Sequence, residues 1–146
     1  MSQSEDPNDI YLNLPNEVDK IIAIVKRLRE PGGCPWDQKQ THQSLLKYLD
    51  EESQEVKQEI ENKRYGDTLK EELGDLLLQV FLHARLAEEQ GEFNFNDVVE
   101  FLRNKLVTRH PHVFGDNPRE LTDEELDKQW NEIKKGEREA RKKVKS

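Results

Sequence analysis

Leu73–Leu86 reads "LGDLLLQVFLHARL", and its reading decides the fold. A helix through it carries apolar side chains on nearly every side, and a helix apolar all round is normally buried all round. A small helical domain cannot bury such a helix alone. The expectation is therefore an all-α fold, most simply a four-helix bundle, that dimerises through this third helix as a homodimer or dimer of dimers.

Working outward, "RYGD" (64–67) is a turn, and Thr68 with Glu71 predicts a capping box opening a helix over 68–90. Before it, Leu45, Leu49, Val56 and Ile60 stripe a helix from about Thr41 to Lys63. Upstream of that, Pro15 suits the first position of a helix carrying Val18, Ile21, Ile22, Val25 and Leu28. "EPGG" (30–33) stops it, and "CPWDQKQ" follows as a loop. Downstream, Asn96 is the expected cap of a fourth helix, striped by Val98, Val99, Leu102 and Leu106 and ended by Pro111. Thr122 and Glu125 predict the box that opens a last helix holding Leu126, Trp130 and Ile133. The expected organisation is a mobile tail over 1–14, one domain over 15–135 and a fraying basic tail over 136–146.

Composition narrows the function. The chain has 146 residues, 37% of them charged, and a net charge of −8, which argues against non-specific binding to nucleic acid or an anionic membrane. One cysteine, Cys34, excludes an internal disulfide and a cysteine-based zinc cage. No apolar run approaches the roughly 20 residues of a membrane span, and no leader opens the chain, so a cytoplasmic protein is expected. An acidic protein that takes a phosphate ligand needs a cation between the two.

That cation has candidate ligands. "DEESQEVKQEIE" (50–61) holds Glu51, Glu59 and Glu61, for which Lys47, Lys63 and Lys57 stand at helical pairing distance. Glu52 and Glu55, and Glu72 and Asp75 on the next helix, have no basic residue three or four positions away. Each pair is spaced i,i+3 against a leucine stripe, where an unpartnered carboxylate is costly. Two facing helices would join four hard oxygen donors. Mg²⁺ binds carboxylate oxygens and keeps positions for substrate phosphates, whereas a solvated acidic groove is the plain alternative.

"GCPWD" (33–37), "TH.SL..YL.EE" (41–52), "ELGDLLLQV" (72–80), "HPHVFG" (110–115) and "W.EIK" (130–134), five motifs in order, resemble the MazG family of nucleoside triphosphate pyrophosphohydrolases. The family pattern E-E-x-x-E, then E-x-x-D, is met by Glu51, Glu52 and Glu55 and by Glu72 and Asp75. The resemblance implies an all-α dimeric fold and hydrolysis of an NTP or dNTP to monophosphate and pyrophosphate, as in clearing unwanted nucleotides. It implies Mg²⁺, with Mn²⁺ as a substitute, on Glu52, Glu55, Glu72 and Asp75. It gives Glu51 a role in orienting water or a ligand.

Lys105 and Arg109 share one face of the fourth helix, where the resemblance implies phosphate contacts, and it places Trp130 and Lys134 against the nucleotide. Pairing with acids elsewhere, or anchoring the last helix by Trp130, are the plain alternatives. Trp36 reads as a cover over the core, and His110 and His112 as packing or capping of their turn. No G-x-x-x-x-G-K-[ST] motif is present. A dUTP, dCTP or phosphoribosyl-ATP pyrophosphohydrolase of related all-α fold stays open, as does a non-catalytic helical module binding a basic partner.

Overall fold

The computed structural model describes residues 6–116 and 118–145. Those residues hold a 3₁₀ helix, Pro7–Asn13, and helices α1 (Glu17–Arg29), α2 (Pro35–Lys39), α3 (Leu46–Glu61), α4 (Asp67–Glu89), α5 (Phe95–Arg109), α6 (Pro111–Phe114) and α7 (Asp123–Lys145). No strand occurs among them, as the absence of alternating β-branched runs predicts. Residues fall into two compact units, one ending at Val98 and the other starting at Val99.

In the first unit α4 packs against α3 and α1, while α1 also carries the 3₁₀ helix and α2. Val25, Leu45, Phe81, Leu82 and Leu86 form the core, with Ile22, Tyr48 and Phe95 packed on it. Phe81 and Phe95 stack with ring centroids 4.1 Å apart. Leu45 is fully buried and stands seven residues before Glu52, on the same helical face. The residue that anchors α3 therefore also sets the face its carboxylates present.

Local chemistry fixes the ends of these helices, not always as expected. Pro15 does not open α1; Asn16 caps it, its Oδ1 accepting from the Asp19 amide at 2.9 Å. Gly32 takes φ +85°, and a side chain on Gly33 would collide with the carbonyls of Arg27 and Leu28. Only glycines allow that return. The expected loop after it contains α2, held by Arg29, which donates to the Asp37 and Gln40 carbonyls and to both oxygens of Glu89 on α4. Thr41 and Ser44 exchange side-chain-to-amide bonds, capping a turn that leads into α3.

Between α3 and α4 the expected box does not form. Gly66 caps α4 without a side chain, because Thr68 Oγ1 donates instead to Glu59 at 2.7 Å. Glu59 also takes both arms of Arg64 and so does not pair with Lys63, which closes the helix at φ +56°. Neither Glu51–Lys47 nor Glu61–Lys57 appears among the ion pairs of the described residues; Lys47 lies over the Tyr48 ring at 4.9 Å. The resulting helical hairpin has a turn stapled by one acid.

Asn94, not Asn96, caps α5, exchanging two 2.9 Å bonds with Asp97. In the second unit the Thr122–Glu125 box forms as expected. The helix it opens does not stop near Lys135 but continues to Lys145. Glu137, beyond the expected end, accepts from Arg109 of α5 at 2.6 and 3.2 Å. Likewise the expected N-terminal tail contributes its 3₁₀ helix, where Asn8 accepts from Arg27 at 3.0 Å.

Leu45→Ala should lower stability by about 2–5 kcal/mol, the range for emptying a leucine-sized core site. Urea unfolding measures it, and a loss below about 1 kcal/mol would show that Leu45 does not anchor α3.

Candidate metal centre

Glu52 and Glu55 stand one turn apart on α3, and Glu72 and Asp75 one turn apart on α4. The hairpin brings them together: one carboxylate oxygen from each of the four lies within 4.8 Å of the other three. Among the described residues none of the four joins an ion pair with a lysine or arginine; the cations that do pair bind other acids. Glu52 Oε2 and Glu72 Oε2 are buried without a hydrogen-bond partner.

Like charges crowded into this space raise the proton affinity of Glu52 and Glu72. Glu72 is pushed up to about 7, first by its hydrogen bond with Glu55, then by burial and by repulsion from Glu55, Asp75 and Glu52. Burial, followed by repulsion from Glu55 and Asp75, raises Glu52. The donor set is all carboxylate oxygen, which fits a hard ion such as Mg²⁺ or Mn²⁺ and lacks the nitrogen and sulfur ligands typical of zinc. Two buried lone pairs without donors mark where such an ion would be held.

Glu51 is exposed and not one of the four; its charge contributes to raising Glu52. Lys105, Arg109, Trp130 and Lys134 all belong to the second unit. Arg109 sits over the Trp130 ring at 4.7 Å and Lys134 at 5.8 Å, so three of the expected nucleotide contacts do cluster. Arg109 is also engaged by Glu137, which raises its proton affinity further. Lys105 lies over Phe101 and lines a cavity of about 520 Å³ with Asn104, Thr108 and Arg141.

His110 Nδ1 meets the Leu106 carbonyl at 2.6 Å and His112 Nδ1 meets Gln129 at 3.0 Å, the packing role expected of them. Trp36 is exposed and meets Tyr48 edge-on, so it does not seal the core. Sequence reasoning passed over Gln79, buried on α4, and His83, whose ring stacks on His42. Their spacing from Asp75, i+4 and i+8, was a readable signal that they continue the carboxylate-bearing side of the helix.

Comparison with known proteins agrees with this geometry. The family model described as the MazG nucleotide pyrophosphohydrolase domain matches residues 40–114, which span all four carboxylates. Over 120 residues the chain is 48% identical to the nucleoside triphosphate pyrophosphohydrolase/pyrophosphatase MazG of Thermotoga maritima, covering 82% of this chain and 45% of that one. Over 124 residues it is 44% identical to the nucleoside triphosphate pyrophosphohydrolase of Escherichia coli K12, covering 84% and 46%. It thus spans less than half the length of these two relatives. A solved MazG-related protein from Thermotoga maritima superposes with TM-score 0.65 at 27% identity, covering 80% of this chain and 98% of that one.

The carboxylate cluster leaves a signature in stability. Because Glu72 binds its proton more tightly folded than unfolded, its contribution is full below the ordinary carboxylate range and is lost as pH rises through about 7. Without metal, the melting temperature should therefore fall between about pH 5 and about pH 8. Glu72→Gln should flatten that fall and melt higher than wild type at the upper pH. A lower melting temperature for the variant there, in EDTA, would mean that Glu72 has a cationic protein partner.

Proposed function

The chain belongs to the MazG nucleotide pyrophosphohydrolase family, and on that premise we propose that it hydrolyses nucleoside triphosphates to monophosphate and pyrophosphate. The observation that carries this reading is the convergence of four carboxylates without cationic partners across one helical hairpin. Residues 15–135 form the working domain, and the cytoplasm, where nucleotides are pooled, is its place of action.

In this reading Glu52, Glu55, Glu72 and Asp75 hold Mg²⁺, for which Mn²⁺ can substitute. When bound, the ion neutralises polyphosphate charge and lowers the proton affinity of bound water. The carboxylates alone would repel the substrate, so their task is to be deprotonated and fixed in position. Glu51, exposed beside Glu52, orients water. Water oxygen attacks the α-phosphorus, the bond to the bridging oxygen breaks, and pyrophosphate departs with the electron pair.

Lys105 and Arg109 supply positive charge to the phosphates. Arg109 must exchange Glu137 for phosphate or bind it while still paired. Trp130, already carrying Arg109 and Lys134 against its ring, offers a flat face to the nucleotide. The working form is a dimer. Leu73, Leu77 and Val80, 48%, 49% and 39% exposed, follow one another at i, i+4 and i+7 on α4. A second copy would cover them.

Incubation with NTPs and dNTPs, with and without Mg²⁺, should give monophosphate and pyrophosphate only with the metal. Glu52→Gln and Asp75→Asn should each cost about 100-fold or more in turnover while the protein stays folded. Diphosphate and phosphate as products, or near-normal turnover in either variant, would overturn the assignment. Light scattering should give a dimer mass that Leu77→Glu reduces to a monomer; a monomeric wild-type protein would remove the dimer.

A further inference from the structure

Trp130 lines a cavity of about 350 Å³ in the second unit, with Arg109, His112, Leu126, Asp127 and Gln129 also in its walls. The volume lies within the roughly 300–1,000 Å³ of small-molecule pockets. Asp127 stands three residues before Trp130 on α7, so the two are neighbours on the helix surface. Arg109 reaches the same ring from α5, 4.7 Å away. The hydrogen bonds already made in the walls determine what is left for a ligand. Gln129 Nε2 is a donor and stands 3.0 Å from His112 Nδ1, so that nitrogen accepts and the neutral ring carries its proton on Nε2. Arg109 is engaged by Glu137. Asp127 is exposed, and its carboxylate joins no ion pair or hydrogen bond among the described residues.

A carboxylate with both oxygens free is matched by two adjacent N–H donors. A cationic ligand is the wrong source of them, because Arg109 and Lys134 already lie against the Trp130 ring and would repel it. A neutral heterocycle avoids that cost. Among the common bases, guanine alone presents two neighbouring N–H groups on one edge, N1–H and the 2-amino group. Adenine and cytosine set their amino group beside a bare ring nitrogen, which meets a carboxylate oxygen lone pair to lone pair. Uracil and thymine offer one N–H between two carbonyls. Guanine also carries an acceptor, O6, for which the walls hold a donor in His112. Leu126 and Trp130 supply apolar surface for the ring. Arg109 lines the cavity itself, so a nucleotide whose phosphates rest on it has its sugar and base at the cavity.

We propose that this cavity is the base pocket of the nucleotide site and that Asp127 selects guanine, its two oxygens accepting from N1–H and the 2-amino group. The assignment deepens, and rests on, the reading of Arg109, Trp130 and Lys134 as nucleotide contacts. Asp127 touches the base and not the reacting phosphorus, so it determines which triphosphate is used rather than how it is cleaved. A two-point contact of this kind with a base edge discriminates by about tenfold or more.

The test titrates the full-length protein in EDTA with the 5′-monophosphates of guanosine (GMP), inosine, adenosine, cytidine and uridine. NMR follows the Trp130 indole N–H, with Trp36→Phe identifying its signal. GMP should bind at least tenfold more tightly than the adenosine, cytidine and uridine compounds. Inosine monophosphate keeps N1–H but lacks the 2-amino group, and should fall in between. Asp127→Asn puts an amide N–H in place of one acceptor. It should weaken GMP at least tenfold and favour xanthosine monophosphate, whose edge sets N1–H beside a carbonyl. The melting temperature should not move, because the Asp127 carboxylate holds nothing in the fold. Equal binding of all the monophosphates, no binding, or wild-type GMP affinity in the variant overturns the proposal. Triphosphate turnover in Mg²⁺ separates the two readings. Cleavage without guanine preference sinks the pocket assignment alone, and guanine-selective binding without cleavage of any triphosphate sinks the pyrophosphohydrolase reading alone.

Discussion

Repulsion among Glu52, Glu55, Glu72 and Asp75 is the constraint around which the first unit is built. Four carboxylates within 4.8 Å oppose folding unless protons or a cation offset them. The apolar packing of the hairpin holds them there: Leu45 and Tyr48 on the α3 side, Leu82 and Leu86 on the α4 side, with α1 behind. Buried apolar area is non-directional, so it can press like charges together where no specific bond would. Glu59 fixes the turn by binding both Arg64 and Thr68, which sets the register of α3 against α4.

The same constraint makes an acidic chain compatible with the anionic substrate proposed for it. The cluster attracts cations, and the cations attract phosphate. Arg109, Trp130 and Lys134 place positive charge over an aromatic face in the second unit. Gln79 and His83 add polar atoms that neither group employs.

The site was legible in the sequence to the extent that it depends on local spacing. The i,i+3 carboxylate pairs and the lack of nearby lysines picked out all four members, because one helical turn decides both. The Thr122–Glu125 box was legible for the same reason. What failed involved competition or distance. Thr68 had two acids to choose from and took Glu59 across the turn, and Asn94 outcompeted Asn96 two residues away. The extension of α7 past Lys135 accompanies the Arg109–Glu137 pair, 28 residues apart. His42 and His83 are 41 residues apart, beyond any periodicity. The leucines of α4 were read as buried all round; Leu82 and Leu86 are buried, but Leu73, Leu77 and Leu78, like Val80, are exposed.

The most direct test of the central claim is a crystal grown with Mn²⁺ and measured for anomalous scattering. A peak is expected between α3 and α4, about 2.1 Å from oxygens of Glu52, Glu55, Glu72 and Asp75. A cluster without a peak, occupied instead by a lysine or arginine side chain, would contradict it.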